Sequence, residues 1–263
     1  MINFLRSCGI PLADGKISLP ANINSVFIDV GLSSNAPQSE YLLQNNQASI
    51  VFGFEPLPSN INELISGTSQ YKPALSTERL NKEFFLIPCA LGTRGAGATA
   101  KFFVTTKDKG CSSLYQPTMF SWEDEIQVPV YRLDEFLELF PFDKHGVIQF
   151  LKIDAQGADL DIVSSAGNYL SKILIVTTEI TVDQYAGIRN STKKTVFLFV
   201  KRGFVPITLG KNYPRPSKFL RLLFRICCWF KGSKITLSSV DPTFFNLPLF
   251  FRTKSQRLNI KIT

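Results

Sequence analysis

The sequence predicts an α/β domain with a doubly wound, mostly parallel sheet, and two observations lead to that prediction. Apolar runs rich in β-branched and aromatic residues recur along the chain, without the polar alternation of half-exposed strands. The segments between these runs are long enough for helices. Strands that alternate with helices are typical of parallel sheets whose two faces are covered by helices.

Each predicted element follows from this pattern. Strands are predicted at seven places, namely 26–30, 50–54, 84–87, 150–153, 173–177, 206–209 and 241–245. Helices are predicted at 38–45, 59–66 and 159–170. Between the third and fourth strands, an extra β-ribbon is predicted at 100–105 and 126–130, followed by a short helix at 133–139.

The composition is that of one globular domain spanning residues 1–263. Hydrophobic residues make up 44% and charged residues 19% of the chain, which excludes a disordered protein. The five cysteines form no CxxC pair, so neither a metal site nor a disulfide framework is expected. Because the chain also has no signal-peptide pattern and no run of about 18 apolar residues, we expect a cytoplasmic protein.

Positive charge is concentrated near the C-terminus. Residues 210–263 contain eleven Lys or Arg against one acid, Asp241, whereas the whole chain has a net charge of +8. We therefore expect a core at about 24–209 plus 240–250 and a basic helical insertion at 210–239, before the last strand.

Within the insertion, a helix at 217–231 would be apolar except for a stripe of cations. Two interpretations remain open. The helix packs on the domain or in a dimer seam, or 214–234 makes peripheral contact with a membrane. No nucleic-acid partner is expected because no RNA-binding motif is present, and the sequence does not determine the oligomeric state.

Three acidic residues follow predicted strands and would meet at one edge of the sheet: Asp29, Glu55 and Asp154. Glu55 lies 24 residues after Gly31, a spacing at which a carboxylate accepts hydrogen bonds from the ribose hydroxyls of an adenosine. Gly31 would let the backbone approach a ligand closely. The turn at 29–35 has no second glycine, which disfavours a pyrophosphate and hence NAD.

Several stretches together resemble one family. These are VFIDVG at 26–31, FGFEP at 52–56, PCALG at 88–92, SSL at 112–114, VYRLDEF at 130–136 and FLKIDAQGADLDIV at 150–163. The series resembles the FkbM-type methyltransferases. The resemblance implies the Rossmann-like class I methyltransferase fold, with a final antiparallel strand, and S-adenosyl-L-methionine as the cofactor. It also implies an acceptor hydroxyl on a sugar or another secondary alcohol.

The resemblance also assigns residues to the cofactor. Asp29 and Gly31 match the motif beside the methionine part, and Glu55 matches the acid that binds the ribose. Ala90 and Leu91 lie where the adenine packs in such proteins. In the same way, Asp154 matches the aspartate that ends the fourth strand near the transferred methyl group.

A hydroxyl nucleophile needs a general base, and Asp154 and Glu179, both at strand ends, are the candidate catalytic residues. The chain departs from the family pattern nearby, since Gln156 and Asp159 occupy positions where that pattern has glutamates. His145, the single histidine, precedes the fourth strand and is interpreted as a residue of a surface loop.

Three functions follow from these patterns. The leading one is a methyltransferase dependent on S-adenosylmethionine that methylates a hydroxyl. The altered residues near Gln156 also allow a binding module that kept the fold without catalysis. A different nucleotide-dependent α/β enzyme, such as a dehydrogenase, is disfavoured by the glycine-poor turn after Asp29.

Overall fold

The computed structural model describes residues 1–181, 183–188, 190–209, 234–237, 241–252 and 259–262. In these ranges the strands are β1 (Leu12–Ala13), β2 (Lys16–Ile17), β3 (Ser25–Val30), β4 (Ser49–Phe54), β5 (Phe84–Ile87), β6 (Ala90–Leu91), β7 (Ala98–Thr105), β8 (Trp122–Tyr131), β9 (Ile148–Ile153), β10 (Ile173–Thr178), β11 (Phe204–Leu209), β12 (Lys234–Leu237), β13 (Pro242–Asn246) and β14 (Asn259–Ile262). The α-helices are α1 (Ile2–Ser7), α2 (Pro37–Asn45), α3 (Pro58–Ser66), α4 (Leu133–Leu137), α5 (Phe142–His145), α6 (Asp159–Ser165), α7 (Thr192–Lys201) and α8 (Leu247–Arg252).

The central sheet has seven strands in the order β11-β13-β10-β9-β3-β4-β5. Strands β3, β4, β5, β9 and β10 run parallel, and β13 runs antiparallel to β10 and β11. The predicted α/β fold with a large, mostly parallel sheet is confirmed. The chain moves from β3 outward to β5 and then returns to β9, on the other side of β3. Ligands of doubly wound sheets bind at the carboxyl ends of strands where the order reverses in this way.

Both faces of this sheet are covered, which explains why its strands are apolar without alternation. Every residue of β3 and β4 is buried. Ile28 and Phe52 belong to one apolar cluster, whereas their neighbours Phe27 and Val51 belong to a second cluster. Because successive side chains of a strand point to opposite faces, adjacent apolar residues fill both layers of the core.

Most predicted elements are present within two residues of their expected bounds, with two differences among the strands and helices. The single helix predicted at 159–170 is wrong, because α6 ends at Ser165 and a 3-10 helix follows at Gly167–Lys172. Gly167 has a φ of 55°, a left-handed conformation that ends an α-helix. Strand β8 begins earlier than predicted, at Trp122, because its charged and exposed first residues still pair with β7.

The extra ribbon between β5 and β9 forms a three-stranded sheet in the order β6-β8-β7. Its residues Phe102, Val104 and Val128 form an apolar cluster with Leu57. Leu57 lies two positions after Glu55, so the ribbon packs against the loop that leaves β4. The ribbon therefore forms one wall of the space above the carboxyl ends of the strands.

The predicted basic helix at 217–231 lies outside the described residues, as does most of the insertion at 210–239. The part of the insertion that is described is β12, which pairs in parallel with β14. In the described part of the chain, no helix combines the length and the hydropathy needed to cross a bilayer.

Candidate functional site

A cavity of about 300 Å³ lies at the carboxyl ends of β3, β4 and β9, at the point where the strand order reverses. Five of the seven predicted site residues line it, namely Gly31, Glu55, Ala90, Leu91 and Asp154. The two others, Asp29 and Glu179, are close to these residues without lining the cavity. The parallel strands thus bring together side chains that lie far apart in the sequence.

Glu55 follows β4 and is a buried carboxylate held by local donors. Its Oε2 accepts a hydrogen bond from the backbone N–H of Ser33 at 3.0 Å. Its Oε1 accepts from the backbone N–H of Leu57 at 3.0 Å and from the Asn60 amide at 3.3 Å. Burial raises the pKa of Glu55 to about 7, although these hydrogen bonds act in the opposite direction. A carboxylate oxygen has more than one lone pair, so Glu55 can also accept hydrogen bonds from ligand hydroxyls.

Asp29 is buried close to the cavity and does not line it. Its Oδ2 accepts a hydrogen bond from the Ser39 hydroxyl at 2.6 Å, and its Oδ1 is 3.3 Å from the ammonium of Lys152. The same ammonium donates to the Gly31 carbonyl at 2.9 Å and lies 3.4 Å from Asp154 Oδ2. Burial lowers the pKa of Lys152, but the charges of Asp29 and Asp154 outweigh it and keep the pKa above its usual value. Lys152 therefore ties the end of β3 to the end of β9.

Gly31 is required by the backbone around it. Its φ is 79°, and a Cβ at this position would lie 1.8 Å from the carbonyl oxygen of Asp154. The two strand ends are also joined by a hydrogen bond from the Asp154 N–H to the Val30 carbonyl at 3.0 Å. The sequence interpretation attributed this glycine to a close approach by a ligand, and the structure adds the close approach of Asp154.

Ala90 and Leu91 form β6, and both are buried. They pair with Val130 and Tyr131 of β8, which fixes them beside the ribbon. Together with Phe102 and Leu114 they give the cavity an apolar side. Such a surface suits a flat aromatic ring.

Asp154 and Glu179 follow the adjacent strands β9 and β10 and share one neighbour. The amide nitrogen of Gln156 donates to Asp154 Oδ1 at 2.7 Å and to Glu179 Oε2 at 3.1 Å. Burial raises the pKa of Glu179 to about 7, and the charges of Asp154 and Asp241 add to the shift. The arrangement places a proton acceptor for neutral pH beside the cavity.

The turn after β9 is shaped by Asp159. Its carboxylate accepts from the N–H groups of Ala155 at 3.3 Å and Gly157 at 3.1 Å, and it is fully buried. Burial and the charge of Asp154 raise the pKa of Asp159 well above its usual value. Asp159 thus closes the turn that carries Gln156.

Sequence reasoning missed several residues of the site. Asn60 and Tyr185 belong to no motif, and their positions follow only from the packing of α3 and of the segment after β10. Lys152 was part of the stretch that supported the family resemblance, but its contact with Asp29 depends on the pairing of β3 with β9.

His145 is far from this cavity. It ends the short helix α5, so its interpretation as a loop residue is wrong, although it precedes β9 at the opposite edge of the sheet as expected. Burial lowers its pKa. In the described ranges, no group of three or more His, Cys, Asp or Glu side chains is arranged to hold a metal ion.

A family model described as the methyltransferase FkbM domain matches residues 21–206. The matched range is more than half of the chain. It includes every residue that forms the cavity and the carboxylate pair, and it ends before the basic segment. No curated protein and no solved structure matches the chain.

Proposed function

Because the chain belongs to the FkbM methyltransferase family, we propose that it transfers a methyl group from S-adenosylmethionine to a hydroxyl of a sugar or another secondary alcohol. The observation that carries this proposal is the cavity at the reversal of strand order. It combines a buried carboxylate, Glu55, with an apolar side at Ala90 and Leu91 and with Asp154 at the other end.

The cavity residues fit the parts of this cofactor. Glu55 would accept hydrogen bonds from the ribose hydroxyls. The apolar side formed by Ala90, Leu91 and Phe102 would hold the adenine, and Gly31 and Asp154 would lie beside the methionine part. The bound cofactor would supply an electrophilic methyl group on its sulfonium.

The carboxylate pair provides the acid–base chemistry of the proposal. A neutral hydroxyl is a weak nucleophile, and a positioned base contributes about 10²–10⁴-fold to its reaction. Glu179, whose pKa is about 7, would accept the proton of the acceptor hydroxyl. Asp154 lines the cavity and is the second candidate for contact with the acceptor.

Calorimetry with S-adenosylmethionine and S-adenosylhomocysteine tests the cofactor assignment. We expect both to bind at a single site. Turnover is then measured as S-adenosylhomocysteine released with a panel of sugar acceptors, and the products gain the mass of one CH₂. Absence of binding would contradict the whole proposal.

A non-catalytic binding module is the second candidate, because an amide at Gln156 stands between the two carboxylates. This candidate predicts cofactor binding with no release of S-adenosylhomocysteine for any acceptor in the panel. Both functions therefore predict cofactor binding, but only the methyltransferase predicts release of S-adenosylhomocysteine.

We also propose a cytoplasmic protein that makes peripheral contact with an anionic membrane through residues 214–234. The eleven cations among residues 210–263 support this contact. Helix α7 offers a second apolar and basic surface, since Phe197 is 69% and Val200 52% exposed, with exposed Lys193 and Lys201 on the same helix. Liposome flotation of the intact chain, of a chain lacking 214–234 and of Phe197→Ser tests this. Flotation of none of the three would contradict the contact.

A further inference from the structure

Gln156 makes four hydrogen bonds, three through its side-chain amide and one through its backbone carbonyl. Its amide nitrogen donates to Asp154 Oδ1 and Glu179 Oε2, at 2.7 and 3.1 Å. Its side-chain oxygen lies 2.8 Å from the Tyr185 hydroxyl. Its backbone carbonyl accepts from the Ser113 hydroxyl at 2.6 Å. Each polar group of the side chain therefore has a partner.

While both carboxyls are ionised, their contacts with the Gln156 side chain allow only one orientation of the amide. If the nitrogen and oxygen exchanged places, the amide oxygen would face two carboxylate oxygens, and neither could donate to it while both are ionised. The observed orientation instead places the hydroxyl of Tyr185 beside the amide oxygen, where it can donate. The Tyr185 hydroxyl is also 2.8 Å from the Cys111 carbonyl, so its single proton is shared between two acceptors. The two carboxylates are therefore the groups that set the orientation of the amide.

The backbone of the turn supports the same position. Gln156 has a φ of 52°, which few residues other than glycine adopt, and Gly157 follows it with a φ of 99°. A Cβ on Gly157 would lie 3.2 Å from the Tyr185 ring, so the ring packs directly on the turn. Tyr185 is only 2% exposed and therefore forms a rigid support.

The carboxylates need such a donor because most charges around them are negative. The titratable groups that interact with Glu179 come from β9, from the turn after it, from α6 and from the segments at 111, 185 and 241. They are Lys152, Asp154, Asp159, Cys111, Tyr185 and Asp241. Lys152 is the one cation among these groups, and it is already shared by Asp29, Asp154 and the Gly31 carbonyl.

We propose that Gln156 is a positioning residue, whose amide nitrogen holds the carboxylates of Asp154 and Glu179 in one fixed arrangement at the edge of the cavity. The catalytic meaning of this arrangement rests on the proposed function, in which Glu179 accepts a proton. The positioning itself is a property of the folded chain. It can be measured without cofactor or acceptor.

Removing the amide should change the proton affinity of Glu179. A hydrogen bond donated to a carboxylate favours its ionised form, so its loss raises the pKa. Gln156→Leu keeps a similar volume and removes both donors, and we expect the pKa of Glu179 to rise by about one unit. Gln156→Glu adds a third carboxylate and should raise it further. Tyr185→Phe keeps the packing of the ring and should give a smaller rise.

The experiment is a ¹³C NMR titration of the protein labelled at its glutamate carboxyls. The resonance of Glu179 is assigned with Glu179→Gln. The matched control is Gln127→Leu, the same substitution at an exposed position of β8, and it should leave the titration of Glu179 unchanged. Thermal unfolding of each variant shows that it is folded.

An unchanged or lowered pKa of Glu179 in folded Gln156→Leu would overturn the proposal. If that variant does not fold, the nearly isosteric Gln156→Glu decides in the same way, because it also removes the amide donor and the proposal requires a rise there too. Since the titration uses the free protein, a failure here is distinct from a failure to bind S-adenosylmethionine. With an active acceptor, the acidic limb of the kcat profile should shift upward in Gln156→Leu.

Discussion

Two glutamates at the carboxyl edge of the sheet have the same pKa of about 7 in different surroundings. Glu55 follows β4 and Glu179 follows β10, with β3 and β9 between them in the sheet. Around Glu55, burial is opposed by N–H donors from Leu57, Asn60 and Ser33. Around Glu179, burial is reinforced by the charges of Asp154 and Asp241.

This difference in surroundings indicates that the two carboxylates have different roles, Glu55 in binding and Glu179 in proton transfer. Donors that surround Glu55 come from several residues, so its position does not depend on one contact, as suits a group that binds hydroxyls. Glu179 accepts a hydrogen bond from the amide of Gln156 and lies among other acids, of which Asp154 is close enough to share a hydrogen bond with it. A carboxylate among acids gains a proton readily near neutral pH, as a general base must. The following predictions separate these two uses, starting with the largest effect.

Replacing Glu179 should give the largest effect. It should lower the rate of catalysis and leave cofactor binding largely unchanged. In Glu179→Gln the proton acceptor is lost, and we expect kcat to fall by about 10²–10⁴-fold. The affinity for S-adenosylmethionine should remain within about threefold, because Glu179 does not line the cavity. Calorimetry and single-turnover kinetics measure the two quantities. A large loss of cofactor affinity would show that Glu179 belongs to the binding region instead.

The pH dependence of stability gives the next effect. Folding raises the pKa of Glu55 from 4.5 to about 7, so the folded state binds more protons between these pH values. The contribution of Glu55 to the free energy of unfolding is therefore complete below pH 4.5 and is lost as the pH rises through 7. It amounts to about 3 kcal/mol at most.

Chemical denaturation of the wild type and of Glu55→Gln between pH 4.5 and 8 measures this contribution. The variant should show a smaller fall in stability over that range, although it is less stable throughout because an amide cannot accept from all of the donors. The exposed substitution Glu123→Gln is the control and should keep the wild-type slope. Equal slopes in Glu55→Gln and the wild type would mean that Glu55 titrates as it does in the unfolded chain.

The sequence predicted the sheet better than the arrangement of Asp154, Gln156 and Glu179. Apolar runs such as 26–30 specify buried strands directly, and strands that alternate with helices specify a mostly parallel sheet. Gly31, Glu55 and Asp154 meet in one cavity for the same reason, since the strands that they follow end at the same edge of the sheet. The single helix at 159–170 was wrong because one left-handed glycine, Gly167, ends it.

The arrangement around Glu179 depends on contacts that leave no local pattern. Tyr185 reaches Gln156 from a segment without a motif, and Ser113 reaches it from the end of the ribbon. In the sequence, Gln156 was only a departure from the family pattern. Its role as the shared donor of two carboxylates emerges once β9 and β10 are adjacent.

Replacing Glu55 should affect binding more than chemistry. Glu55→Ala removes the carboxylate that would accept from the ribose hydroxyls, and hydrogen bonds to charged groups contribute about 1.5–3 kcal/mol. We therefore expect the Kd for S-adenosylmethionine to rise by about 10–100-fold. Calorimetry at pH 8, where Glu55 is ionised, gives the clearest comparison with Glu123→Ala as the control. An unchanged Kd would remove Glu55 from the cofactor site.

Replacing Asn60 should give the smallest effect, and it is the most direct measure of the redundancy around Glu55. The Asn60 amide donates to Glu55 at 3.3 Å, a longer hydrogen bond than those from Ser33 and Leu57, both at 3.0 Å. In Asn60→Ala the two backbone donors remain, so the carboxylate keeps its position and the Kd for S-adenosylmethionine should rise only about threefold. The corresponding loss at Glu179, in Gln156→Leu, leaves no equivalent amide donor among the described contacts. If Asn60→Ala weakened binding as much as Glu55→Ala, Glu55 would depend on a single contact, and the two carboxylates would be held in the same way.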